Sequence, residues 1–144
     1  NADLRDVCAI AALFRGSNLT HANLDHADLT GATLADARLT GADLEDAKLC
    51  NADLSGVNLE AADLARADLE GADLSVSDLE HADLSDTRLI GASLDGADLH
   101  AADLSDSDLS NATIAGAELE GASLEGVELA HDDVRDKEAA LTPL

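Results

Sequence analysis

The side chains able to do chemistry in this sequence are two cysteines, five histidines and 31 carboxylates. Nucleophilic catalysis needs a nucleophile, a base and an orienting group that converge. The histidines, His21, His26, His81, His100 and His131, are scattered along the chain. Cys8 and Cys50 are too few for a disulfide framework or a zinc site and read as free thiols suited to a reducing cytoplasm. The glycines occur singly, so there is no phosphate-cradling loop, and the spacing of a calcium-binding loop is missing too. The dense population is acidic: 31 Asp and Glu against 8 Lys and Arg, a formal net charge of −23. Such a chain repels nucleic-acid phosphates and anionic membrane surfaces, and it favours a protein partner with a basic surface. No apolar run approaches the roughly 20 residues that span a bilayer. The expected localisation is cytoplasmic, although a chain starting at Asn1 is also compatible with a removed leader.

A repeat must position these carboxylates. In "ADLARADLEGADLS" (62–75), Leu64, Leu69 and Leu74 fall five apart, each preceded by Ala at two residues. With Leu4 as the first centre i, the centres run in steps of five to Val134 without insertion or deletion. Of these 27 centres 23 are Leu; the others are Ala9, Phe14, Ile114 and Val134. Position i−2 is Ala in 19 of the 27, i−1 is mostly polar, and all ten glycines lie at i+2. A helix cannot use this period, because five residues at about 100° each set successive leucines about 140° apart and leave no apolar stripe. A long flat strand would flip alternate leucines to opposite faces. A three-residue strand fits, with i−2 and i pointing inward and i−1 outward, followed by a two-residue corner. Gly, Asn and Asp at i+2 suit a corner that needs φ > 0.

Strands and corners in alternation close into a coil, and stacked coils pair each strand with its neighbours above and below, which makes a solenoid. The residues that replace Ala at i−2 set the number of walls. Val7, Ser17, Val57, Ser77, Thr87, Ser107 and Val127 all fall on alternate quintets, and the intervening quintets keep Ala until Asp132. Alternate walls therefore differ, so a coil holds an even number of quintets: a square coil of about 20 residues, not a triangular one. Steps of 20 from Asp28 give Asp28, Lys48, Asp68, Arg88 and Asp108, an alternation of sign that stacking places side by side. At about 4.8 Å per coil the tower stands about 32 Å tall. The same spacing leaves His21 and His81 about 14 Å apart and Cys8 and Cys50 about 10 Å apart, too far for a shared metal or a disulfide. Asp3, Asn23, Asp43, Asp63, Asp83 and Asp103 fall instead in one outward column, a candidate acidic interaction face. A flat wall offers a divalent cation few ligands and no cage. No catalytic, cofactor-binding or metal-binding set is expected, and the chain reads as a non-enzyme.

The two ends depart from the pattern. "DVCAIAALFRG" (6–16) keeps phase but is unusually apolar, with Ile10 and Leu13 at outward positions. This suggests a first coil covered by another segment or another chain, hence a monomer or a homodimer through an exposed end coil. Residues 135–144 leave the repeat and are expected to form a short helical cap or a tail. The domain division is therefore a solenoid over 1–134 and a cap or tail over 135–144.

The quintets "ADLSG", "ANLDH", "ADLAR" and "ADLEG" resemble the A(D/N)LXX motif of pentapeptide-repeat proteins over nearly the whole chain. The resemblance implies an all-β fold, a right-handed quadrilateral β-helix of about 20 residues per coil, with Leu at the axis and Ala near the walls. Two functions are compatible with it. One is an acidic protein-interaction scaffold. The other is DNA mimicry, since some members of the family bind type II topoisomerases such as DNA gyrase and confer fluoroquinolone resistance. Here 23 net charges over the tower height give about one per 1.4 Å, close to the roughly 1.7 Å of duplex DNA. The sequence departs from that subgroup in its nearly uniform Leu centres, its lack of interrupting loops and its polar last residues, which favours the scaffold.

Overall fold

The structure, a computed structural model, describes residues 2–129. The expected cap or tail over 135–144, the centre Val134 and His131 lie outside the described residues. Each outward residue at i−1 forms a parallel bridge with the residue 20 positions later, beginning Asp3 with Asn23, Cys8 with Asp28, Leu13 with Thr33 and Asn18 with Arg38. These four starting points propagate as four separate ladders, so the coil has four walls and a 20-residue period. We number the walls from one to four by those starting residues.

Inside, Leu24 to Leu109 form an unbroken buried series of centres, and the i−2 alanines pack beside them. Small residues at i−2 and Leu at i fill a channel that is identical at every level, which is why the chain dispenses with Met and Trp. At two of the positions where walls two and four replace Ala with a hydroxyl, Ser77 Oγ and Thr87 Oγ1 donate to Leu74 O and Leu84 O at 2.7 Å and are buried at little cost, whereas the Ser17 and Ser107 hydroxyls have no partner among the described residues.

The corners are turns closed by the i−2 amide of the next quintet on the Leu carbonyl, as Ala47 N–H donates to Leu44 O at 3.0 Å. Every described corner residue from Asp6 to Gly126 has positive φ, as a turn of this type requires. Side chains at these corners lean over the coil above. The His21 ring would stand 2.5 Å from a Cβ at residue 41, and Asn51 Oδ1 would stand 2.7 Å from one at residue 71; both upper positions are Gly.

Candidate interaction surface

The backbone explains the abundance of aspartate. In each quintet four amides have backbone acceptors. Around Leu44, for example, Leu44 N–H donates to Asp63 O, Asp46 N–H to Ala65 O, Ala47 N–H to Leu44 O and Asp43 N–H to Ala22 O. The fifth amide, at i+1, points outward past the ladder. It donates to the side chain at i−1: Glu45 N–H to Asp43 Oδ1 at 3.2 Å, Ala65 N–H to Asp63 Oδ1 at 3.0 Å, and Ser85 and Ser105 N–H to Asp83 and Asp103 Oδ1 at 2.9 Å. Every described Asp or Asn at i−1 does this, including Asn18, Asn23 and Asn58. The reach is that of an Asx turn, available to Asp and Asn alone among carboxylates and carboxamides. Sequence reading missed this duty, although the signal was there in the preference for Asp and Asn over Glu at i−1.

The ladder places Asp3, Asn23, Asp43, Asp63, Asp83 and Asp103 on consecutive rungs of wall one. That wall and its corner carry twelve carboxylates against Arg5 and Arg66, a net charge of −10. Walls two, three and four carry −3, −3 and −5 by the same assignment of residues. The charge is therefore concentrated on one side. Burial pushes the Asp63 carboxyl above its ordinary value; the Ala65 amide opposes the shift, while the charges of Asp83, Glu45 and Asp43 add to it. Asp3 is held down at about 2 by its Arg5 partner, and the Ser105 hydroxyl and amide hold Asp103 below its ordinary value.

The sign-alternating column on wall two is built as expected in order, and in part in contact. Arg88 reaches down to Asp68 at 2.6 Å and to Glu70 at 2.7 Å. Lys48, bridged to Asp28 and Asp68 through the backbone, makes no close ion pair among the described residues. At the corner of wall one, Arg66 does what the sequence did not announce, pairing with Asp46 at 3.0 Å and with Glu45. Beside it, ligand atoms of Asp25, His26 and Asp46 all lie within 4.8 Å of one another. His26 Nδ1 stands 3.0 Å from Asp25 Oδ1, a buried oxygen that accepts no hydrogen bond among the described residues. Arg66 already neutralises Asp46 there, so the trio is part of a charge-paired corner.

His21, His26 and His81 occupy corners at positive φ, and His100 lies beside His81 with ring centroids 6.4 Å apart. Both described cysteines are free. Burial, with Asp68 beside it, raises the Cys50 thiol to about 11, so it stays protonated and unreactive at neutral pH. Among the described residues no helix is long and apolar enough to cross a membrane.

Four ladders in a 20-residue register around a leucine axis define a four-walled β-solenoid of five-residue repeats. The chain belongs to the pentapeptide-repeat family: the sequence model for pentapeptide repeats matches eight copies, over residues 1–36, 37–75, 75–113 and 92–129. Among solved structures, alr5209, a pentapeptide-repeat protein from Nostoc PCC 7120, is 36% identical over 64% of this chain and 84% of its own, with a TM-score of 0.55. HetL, a pentapeptide-repeat protein involved in heterocyst differentiation regulation in Nostoc sp. strain PCC 7120, is 32% identical over 90% of this chain and 77% of its own, with a TM-score of 0.38. A trypsin-treated form of QnrB1, a plasmid-mediated fluoroquinolone resistance protein, is 20% identical over 93% of this chain and 86% of its own, with a TM-score of 0.40. No curated protein shows significant similarity to the chain.

Proposed function

We propose that this protein is a non-enzymatic acidic scaffold, a right-handed quadrilateral β-helix whose first wall docks a cytoplasmic protein with a lysine- and arginine-rich surface. It does so without a cofactor, and it binds neither nucleic acid nor membrane directly. The observation that carries this reading is the use of Asp where Asn would serve. The fold asks i−1 only for a short acceptor, and Asn18, Asn23 and Asn58 supply one. The charge at Asp3, Asp43, Asp63, Asp83 and Asp103 is surplus to that need, and at Asp63 burial and like charges oppose it. A wall of −10 on a rigid support steers a basic partner and fixes its register more than it adds raw affinity.

Titration calorimetry with a lysine-rich peptide tests this. The fourfold variant Asp43→Asn, Asp63→Asn, Asp83→Asn, Asp103→Asn keeps every turn acceptor and removes four charges from wall one. The control Asp53→Asn, Asp73→Asn, Asp78→Asn, Asp98→Asn removes four charges from walls three and four. Binding is expected to weaken at least about tenfold in the first and much less in the second. Equal weakening would show that net charge alone is read, and the wall would have no special role.

A second reading, DNA mimicry directed at a type II topoisomerase such as DNA gyrase, is favoured by the linear charge density. A gyrase supercoiling assay separates the two. Inhibition by the wild type that disappears in the wall-one variant supports mimicry, and no effect on supercoiling removes it.

A further inference from the structure

We propose that the corner of wall one carries a binding site for a divalent transition-metal ion of the zinc class, held by Asp25 Oδ1, His26 Nδ1 and Asp46 Oδ2. This goes beyond the scaffold reading and does not rest on it.

The fold brings these atoms together across two coils. Asp25 and His26 are the i+1 and corner residues of one coil, and Asp46 is the corner residue of the next. The backbone fixes all three. Asp25 N–H donates to Asn23 Oδ1, His26 N–H to Glu45 O and Asp46 N–H to Ala65 O, each at 3.0 Å. His26 and Asp46 share a positive φ, 57° and 56°, so their side chains leave the corner column alike. Of the described corner histidines, only His26 has a carboxylate on the corner one coil above. His21 has Gly41 there, and His81 has Ala101.

Two features mark these atoms as ligands of one ion. The first is an orphaned acceptor. Asp25 Oδ1 is buried and accepts no hydrogen bond among the described residues, although His26 Nδ1 stands 3.0 Å away. The contact therefore lacks the alignment of an N–H donor. A buried carboxylate oxygen without a donor is costly, and a cation removes that cost. The second is spacing. Atoms bound at about 2.0 to 2.1 Å from zinc stand about 2.9 to 3.4 Å apart, for angles from right-angled to tetrahedral. His26 Nδ1 is 3.0 Å from Asp25 Oδ1 and 3.8 Å from Asp46 Oδ2, and ligand atoms of the three residues all lie within 4.8 Å of one another. A side-chain rotation covers the excess.

The charge fits as well. Asp25, Glu45 and Asp46 stand against Arg66, three negative charges to one positive, and a divalent ion neutralises the balance of −2. Arg66 grips Asp46 by both oxygens, Nε to Oδ1 at 3.2 Å and Nη2 to Oδ2 at 3.0 Å. It thereby orients that carboxylate, while each oxygen keeps a lone pair for the ion. Arg5, on the coil below, is paired with Asp3 at 2.8 Å. One imidazole nitrogen with two carboxylates suits zinc and its transition-metal neighbours, whereas calcium and magnesium prefer oxygen alone. His26 is exposed, so water completes the coordination on the open side. An ion held there clamps one coil to the next.

Titration calorimetry of zinc chloride into the untagged full chain, stripped with a chelator and held at neutral pH in excess magnesium chloride, tests the site. Magnesium occupies carboxylates that bind through charge alone. One saturable site of micromolar affinity is expected. Asp25→Ala and His26→Asn introduce residue types found at the equivalent positions Ala65 and Asn51. Each should raise the dissociation constant at least about tenfold with an unchanged circular dichroism spectrum. His81→Asn, at a corner with no carboxylate above it, should leave the constant unchanged. In nuclear magnetic resonance spectra zinc should shift the ring nitrogens of His26 and leave those of His21, His81 and His100 in place. No saturable binding at millimolar zinc, retained affinity in either site variant, equal weakening by His81→Asn, or equal shifts at all of these histidines overturns the proposal.

Discussion

Replacing Asp83 by Asn and, separately, by Ala divides the two duties of the acidic wall. Asp83 Oδ1 accepts the Ser85 amide at 2.9 Å and the Ser85 hydroxyl at 2.6 Å. Ala removes both bonds and leaves an outward amide that water satisfies in part, a loss of about 1 to 2 kcal/mol. Asn keeps the acceptor and removes a charge that stands between Asp63 and Asp103 on the ladder. At a rung spacing of about 4.8 Å, two charges in a water-like dielectric repel by about 0.8 kcal/mol, and salt reduces this. Asp83→Asn should therefore match the wild type or exceed it by up to about 1 kcal/mol, and Asp83→Ala should fall below it. Urea denaturation followed by far-ultraviolet circular dichroism reads the difference as a shift in midpoint at constant slope. If Asn destabilises as much as Ala, charge rather than an acceptor is what the fold needs at i−1, and the argument that the wall's charge is surplus collapses.

Three other perturbations probe the account. Asp63 titrates above its ordinary value in the fold, so the native state holds that proton more tightly and stability declines as pH rises through the raised pKa. Asp63→Asn should remove this decline, while Asp103, held low by Ser105, contributes stability that is lost as pH falls and that Asp103→Asn abolishes. Urea midpoints of the three proteins across acid pH check both signs. At the axis, Leu69 is fully buried, so Leu69→Ala should cost about 2 to 5 kcal/mol, and Leu69→Asp should keep the middle coils from folding. Unchanged melting of the Asp variant would refute the inward placement. In one corner column Gly71 and Gly91 share a φ of +67°, but only Gly71 has a side chain, Asn51, in the way of a Cβ. Gly91→Ala should cost about 1 kcal/mol and Gly71→Ala more, the excess vanishing in a double-mutant cycle with Asn51→Gly.

Much of this fold could be read from residue types alone, for a physical reason. A solenoid repeats one environment, so each quintet samples the same constraints and the period survives substitution. The hydroxyls and valines confined to alternate quintets, such as Val57 and Ser77, disclosed the even number of walls because only walls two and four hold them. Less legible were contacts that depend on how far a side chain leans. The position of Lys48 in the column foretold its neighbours but not that it makes no close ion pair among the described residues, and Arg66 reaches Glu45 and Asp46 from a corner that the pattern treats as solvent. The dual role of the aspartates was hidden because one residue type answers two demands, a turn acceptor on Oδ1 and a charge facing water. Sequence shows the residue, while the hydrogen bond from the i+1 amide separates the demands.

The most direct test of the central claim is a residue-resolved nuclear magnetic resonance titration of the protein with a lysine-rich peptide. The amides of Glu45, Ala65, Ser85 and Ser105 donate to the wall-one aspartates, so they report on any cation that engages those carboxylates. The expected result is that these four amides shift most, while the matching amides of walls two to four, such as Ser55 and Ser75, move little. Shifts spread evenly over all four walls, or none along wall one, would contradict the assignment of function to that face.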